Sequence, residues 1–250
     1  VAVGPDGAIY VADWYDAGSG GHSTRDESAS GTIYRIAPKV FTPVVPQLER
    51  KTAKGLVDIL RNPAPNVRVL ANQSLRRMGA EALPELLTLL EDENPYVAVR
   101  AIWLLPYMGE KGMAQLESLL NDERQMFRLV AYRSLRRSNA NMLSYASIMA
   151  NDADAGVRRD VALSLRPYNA EQTLDIFAKL AKGFDGVDKN YVESIGLGAA
   201  LKENEIWTGL KAKLVTGDAL SWSDSFAKLT WRLWPSVTID DLKQRVLSDT

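Results

Sequence analysis

The sequence contains no cysteine and a single histidine, His22. The first absence removes disulfides, thiolate metal sites, cysteine nucleophiles and covalent c-type haem attachment from these residues. The second removes any multi-histidine metal centre. No apolar run approaches the ~18 to 20 residues that a membrane helix requires, because charges or glycines interrupt every hydrophobic stretch. An excess of charge of one sign is missing too: 30 Lys+Arg stand against 31 Asp+Glu in 250 residues, a formal net charge of -1. That balance excludes a globally basic nucleic-acid coat or a polybasic membrane binder. What is present is an ordinary globular composition, 46% hydrophobic and 24% charged, with enough apolar material for a sizeable core.

Val1 stands where an initiator methionine would, and no charged-then-apolar leader precedes the first strand pattern, so the chain reads as a fragment or processed product. At the other end, SVTIDDLKQRVLSDT is expected to begin a further amphipathic helix, with Thr238 and Asp241 at capping-box spacing, and then stops. Between the ends, two compositions divide the chain. Residues 1–38 hold two short strands, Ala8 to Trp14 and Thr32 to Ala37, each preceded by turn residues, GPDG or SASG. From Tyr15 to Gly31 there is no apolar periodicity, and Gly18, Gly20, Gly21 and Gly31 point to an unusually long loop. A proline-containing linker follows over 39–50, punctuated by Pro43 and Pro46; beyond it glycine thins and helical spacing takes over across 51–250.

The helical part repeats with a countable period. Val67, Val97, Phe127, Val157 and Val187 are each 30 residues apart, as are Ala71, Ala101, Ala131, Val161 and Tyr191, and Leu75, Leu105, Leu135, Leu165 and Ile195. A second set keeps the same spacing in the other helix of the unit: Leu56, Leu86, Leu116, Ala146, Ile176 and Ile206, with Leu60, Leu90, Leu120, Ala150, Leu180 and Leu210 four residues on. Spacing of i and i+4 within a unit is that of one helix face. Turn and capping clusters separate the two helices at Asn62 to Asn66, Asp92 to Pro95, Asp122 to Arg124 and Asn151 to Asp154, and Asn94 before Pro95 suits an N-cap followed by a first-turn proline. A two-helix unit of this length cannot bury its apolar stripe alone, so its neighbours must stack.

Units such as NVRVLANQSLRRMG, FRLVAYRSLRR and GVRRDVALSL resemble HEAT repeats of the short HEAT-like class. The expected fold is therefore mainly α, a HEAT-like α-α superhelical solenoid of 30-residue repeats preceded by a short β segment. Solenoids of this kind serve as binding surfaces in unrelated systems, so the resemblance implies a partner more than a reaction. A phycobilin-lyase-like chaperone would need the repeats alone, and the β-rich start argues against it.

That start, VGPDGAIYVADWYDAGSGGH followed by SGTIYRIAPK, resembles the last blade of the β-propeller in secreted glucose/sorbosone dehydrogenase-like proteins of planctomycetes and verrucomicrobia. The resemblance implies a parent protein with pyrroloquinoline quinone and calcium in the propeller, a c-type haem domain elsewhere and a periplasmic or secreted location. Propellers close with roughly four to eight blades and bind ligands over the central channel. One blade cannot enclose that channel, so no catalytic residue is assigned and the chain by itself is expected to be inactive, with no cofactor of its own.

Two sets of residues are candidates for binding. Asp13, Asp16 and Asp26, with Glu27 and His22, offer hard oxygen ligands on a glycine-rich loop that would suit calcium. They lack the alternate spacing of a calcium loop, so a solvated loop is the competing expectation. On the second helices, Arg68, Arg128 and Arg158 share one repeat position, Arg76, Arg136 and Arg166 another, and Arg77 and Arg137 a third, while Asp92, Glu93, Asp122, Glu123, Asp152 and Asp154 recur at the turns. Aligned arginines would bind an acidic protein or an acidic polysaccharide; nucleic acid is disfavoured because Ala98, Pro106 and Tyr107 interrupt the stripe. The alternative is an Asp-to-Arg ladder between adjacent repeats. Finally, Trp222, Phe226, Leu229 and Leu233 are spaced as one helix face that would pack on Ile206 and Leu210, leaving Trp231 and Trp234 to face a further repeat.

Overall fold

A computed structural model describes residues 1–13, 31–42, 44, 46–138 and 141–248. Its strands are β1 (Ala2–Val3), β2 (Ile9–Ala12) and β3 (Ile33–Ile36). Its α-helices are α1 (Ala53–Leu60), α2 (Pro65–Met78), α3 (Leu83–Leu90), α4 (Pro95–Ile102), α5 (Gly109–Ser118), α6 (Gln125–Arg137), α7 (Met142–Met149), α8 (Ala155–Ser164), α9 (Ala170–Lys182), α10 (Lys189–Gly198), α11 (Glu203–Leu214), α12 (Asp224–Leu233) and α13 (Ile239–Ser248). The chain divides into two compact units, Val1–Met113 and Ala114–Thr250.

In the first unit, the three strands form an antiparallel meander in the order β1-β2-β3. The GPDG turn makes the first hairpin: Gly7 takes φ +85°, Gly4 N–H donates to Ala8 O at 2.8 Å, and Asp6 Oδ1 accepts from Ala8 N–H at 3.1 Å. Asp6 Oδ2 also accepts from Arg35 Nη2 at 2.9 Å, tying the turn to β3, where Arg35 faces Tyr10 across the ladder. That guanidinium holds the Asp6 carboxyl below the usual carboxylate range. The strand pattern identified β2 and β3 but not β1, whose two residues are too few to show alternation. Phe41, inside the expected linker, turns back through a bond from its N–H to Pro38 O and lies under the Arg35 guanidinium, 5.5 Å from ring centroid to Cζ. Apart from Gly31, the expected loop from Tyr15 lies outside the described residues.

The helices of the first unit pair as expected: α1 packs on α2 and α3, and α3 on α4. The second unit has two layers, with α6, α8, α10 and α12 neighbours in one and α7, α9 and α11 in the other. Every residue of the Leu56 and Leu60 columns is buried, and so are the Ala71 and Leu75 columns to their last members, Tyr191 and Ile195. Two of the four expected turn clusters supply side-chain caps, while α2 and α6 begin behind Ala64 and Arg124 without one. Asn94 Oδ1 accepts from Tyr96 N–H at 3.0 Å with Pro95 at the first helical position, and Asp154 Oδ1 accepts from Gly156 N–H at 2.7 Å.

Three local expectations differ from the structure. Val187 is 77% exposed, because α10 begins at Lys189 behind the Asp188 cap and Val187 falls in the preceding turn. Its place is taken by Phe184, which is buried and stacks on Tyr191 with centroids 5.8 Å apart. Trp222 is buried, yet it precedes α12 rather than lying on it, since Ser223 is the N-cap. Thr238 does not cap α13; its hydroxyl donates to Pro235 O at 2.7 Å at the end of a short 3-10 turn.

Candidate functional site

The arginine columns separate into two kinds. Near the start of α2, α6 and α8, one geometry recurs: the guanidinium turns back over the carbonyls of its own inter-helix turn, six and five residues upstream. Arg68 Nη1 donates to Asn62 O at 2.8 Å and to Pro63 O. Arg128 Nη1 donates to Asp122 O at 2.9 Å and Glu123 O at 3.1 Å, and Arg158 Nη1 to Asp152 O at 2.6 Å and Ala153 O at 3.0 Å. Carbonyls in these turns lie beyond the helices and lack a helical partner, and these half-buried arginines supply donors.

Two of these side chains, Arg128 and Arg158, also reach into the next repeat. Arg128 Nε and Nη2 grip the carboxylate of Asp152 at 2.7 and 2.9 Å, a two-point pair with the carboxylate buried. Arg158 meets no carboxylate there; its Nη2 donates to Gly183 O at 3.2 Å and its Nε to Tyr191 Oη at 3.1 Å. In the second repeat, where Ala98 occupies the column, Arg100 reaches back to Leu60 O at 2.5 Å, while Asp92 is taken by Arg61 at 2.8 Å. Burial, with Arg68 alongside, lowers the Arg100 pKa. A further two-point pair, Arg133 with Asp160 at 2.9 and 2.7 Å, lies outside the 30-residue columns and carries no sequence signal.

The other column is different. Arg76 lies over the Tyr107 ring, 4.1 Å from its centroid, with its Nε buried and unbonded. Arg136 and Arg166 are exposed and form no ion pair with the described residues. Of the calcium candidates, Asp16 and Asp26 lie outside the described residues, as do His22 and Glu27. Asp13 extends the β2–β3 ladder through its N–H to Thr32 O at 2.7 Å. Among the described residues, no group of three or more acidic or histidine side chains is arranged to hold a metal.

Asp152 is a turn acid bonded across to the neighbouring repeat. Burial works to raise its pKa, but the Arg128 guanidinium and the Asp154 N–H, at 2.8 Å, outweigh it and bring it below the usual value. A folded pKa below the unfolded one, ~3.9, means that the stabilisation is present above that range and lost as pH falls through the folded value. Asp152→Asn is expected to cost about 1.5 kcal/mol at neutral pH. In urea unfolding monitored by circular dichroism, the gap between wild type and variant should close in acid.

The C-terminal aromatics combine a core and a surface. Trp207, Trp222 and Phe226 are buried against one another, whereas Trp231 and Trp234 are 64% and 70% exposed and meet edge to face at 5.0 Å. Of the expected helix face, Phe226, Leu229 and Leu233 lie buried on α12, and Trp222 is buried just ahead of it. Among the described residues, no helix is long and apolar enough to cross a membrane.

Paired helices at a fixed period, stacked in layers and punctuated by arginine-capped turns, define a helical-repeat scaffold of the kind that mediates protein interactions. Residues 53–136 and, one 30-residue period later, 83–166 match HEAT repeats. No curated protein matches the chain.

Proposed function

We propose that the chain is a protein-interaction and spacer module of a larger secreted protein resembling the quinoprotein sugar dehydrogenases, with the redox chemistry carried by other parts of that protein. The observation behind this reading is the small N-terminal sheet. Its apolar side chains Ile33, Tyr34 and Ile36 are 74%, 51% and 55% exposed, although so small a sheet needs a covered face to be stable. Neighbouring blades would supply that cover and also pair the edge of β3 that is unpaired among the described residues. In such a parent, quinone, calcium and haem would belong to the complete propeller and a haem domain, with Asp13, Asp16 and Asp26 as the candidate calcium ligands. The location would be periplasmic or secreted.

Antibody capture against residues 51–250 from the source cells, followed by intact mass, tests this. A mass well above 27.6 kDa, together with quinone-dependent sugar oxidation by the captured protein, is the expected result. A mass near 27.6 kDa would overturn it in favour of a free-standing HEAT module for an acidic protein or polysaccharide. The exposed Arg136 and Arg166 favour that second reading.

A further inference from the structure

A groove of about 630 Å³ opens between α10, α12 and α13 in the second unit. Its floor is apolar, made by Val187, Val192, Ala227, Trp231, Leu242 and Val246. Three of these, Val187, Trp231 and Val246, are 77%, 64% and 68% exposed. The floor exists because the fifth repeat displaces Val187 out of the core column and α13 buries no residue. Contiguous exposed apolar surface of this kind marks an interaction site, and tryptophan with arginine is the usual composition of interface anchors.

The rim is basic. Lys189, Lys228, Arg232 and Arg245 line the groove together with one acid, Glu193, which accepts from Arg232 Nε at 2.6 Å. Lys228 Nζ donates to Gly186 O at 2.7 Å, and Arg245 Nη1 donates to Ala219 O at 2.7 Å. Both bonds go to neutral carbonyls, the Arg245 guanidinium also lies 5.7 Å from the Trp222 ring centroid, and no carboxylate among the described residues compensates either charge. Among the described residues, neither cation forms an ion pair, nor does Lys189. Three unpaired cations thus surround an apolar floor. Phosphates or sulfates would answer the cations and leave the floor wet. A basic segment would cover the floor and be repelled by the rim.

We propose that this groove docks an acidic amphipathic protein segment, one that presents a short apolar ridge flanked by Asp or Glu. The ridge covers Trp231 and the valines, and the flanking carboxylates meet Lys189, Lys228 and Arg245 in a partly dry setting where charge complementarity sets specificity. This rests on the reading of the chain as an interaction module and adds the place and the chemistry of the partner.

The test uses the full chain and fluorescence anisotropy of a labelled synthetic peptide with leucines at helical spacing and glutamates on the flanks. A matched peptide carries lysine for every glutamate, and heparin and a DNA oligonucleotide serve as competitors. The acidic peptide should bind and weaken with salt, while the lysine peptide should not bind. Trp231→Ser, and separately Lys189→Glu with Lys228→Glu, should each reduce affinity about tenfold or more. These side chains are exposed, and unchanged circular dichroism confirms that the variants fold. Equal binding of both peptides, affinity unchanged in the variants, or a heparin complex insensitive to Trp231→Ser would overturn the proposal. So would sedimentation as a dimer in which Trp231 is shielded. If no peptide binds while antibody capture recovers a large parent protein, the groove inference fails and the module reading stands.

Discussion

Trp207→Ala is expected to cost about 4 kcal/mol and to uncouple the last repeats from the rest of the second unit. The indole is 3% exposed on α11, and its Nε1 donates to the buried Thr230 Oγ1 at 2.9 Å, joining α11 to α12. Trp222 meets it at 6.0 Å and 67°, and Phe226 at 6.4 Å, while those two rings contact each other at 5.4 Å and 77°. Truncation therefore forfeits the transfer energy of a large side chain and two aromatic contacts, and it opens a cavity between rings that are held in place by one another. Trp222 Nε1 is already buried without a partner among the described residues. In a repeat array each unit leans on its neighbours, and a weakened unit unfolds before the others. Urea unfolding followed by circular dichroism should show an early transition with partial loss of helical signal, where the wild type shows a later one. Trp207→Phe keeps a ring in place and loses chiefly the Thr230 bond, so about 1 kcal/mol is expected. An unchanged transition for the alanine variant would exclude Trp207 as the link between α11 and α12.

The repeat was legible because stacking forces the same chemistry on the same position in every unit. Leu56 and its five successors at 30-residue spacing are buried without exception. The Val67 column, by contrast, fails at Val187, where a turn containing Gly186 at φ +79° delays the start of α10. That displacement shows in the sequence as the weakly patterned run from Gly183 to Asp188, with the 30-residue spacing kept by Tyr191 and Ile195, but nothing local says that Phe184 rather than Val187 turns inward. The arginine positions were visible too, but not the direction of their guanidinium groups. Arg128 points at its own turn and at Asp152, whereas Arg136 faces solvent; both are arginines on α6. The candidate groove was hardly legible at all. Lys189, Lys228 and Arg245 occupy no common repeat position, and only the packing of three helices brings them to one rim.

Gly198→Ala is expected to destabilise the second unit by about 3 kcal/mol, the reverse of what helix propensity alone would give. In an unconstrained helix the change would be favourable by up to ~1 kcal/mol. Here a Cβ on Gly198 would lie 2.1 Å from Ala162 O and 2.9 Å from Ala162 C, with Phe177 Cζ at 3.4 Å. The obstacle is the backbone of α8, which is fixed by its own hydrogen bonds, and Ala162 and Phe177 are both buried. Relief requires α10 to move away from α8 and strips contact from the most extensive helix pair of this unit. Gly209 provides the contrast. A Cβ there would come within 2.4 Å of Leu174 Cδ1, nearly as close, but the obstacle is the tip of a side chain that can change rotamer. Gly209→Ala should therefore fall within ~0.5 kcal/mol of wild type. Measured side by side in urea, the two variants separate distance from mechanics. A large loss at position 198 and none at 209 means that backbone approach between α8 and α10 sets the packing of these repeats. Similar losses at both would mean that the local space, and not the identity of the neighbour, decides the cost.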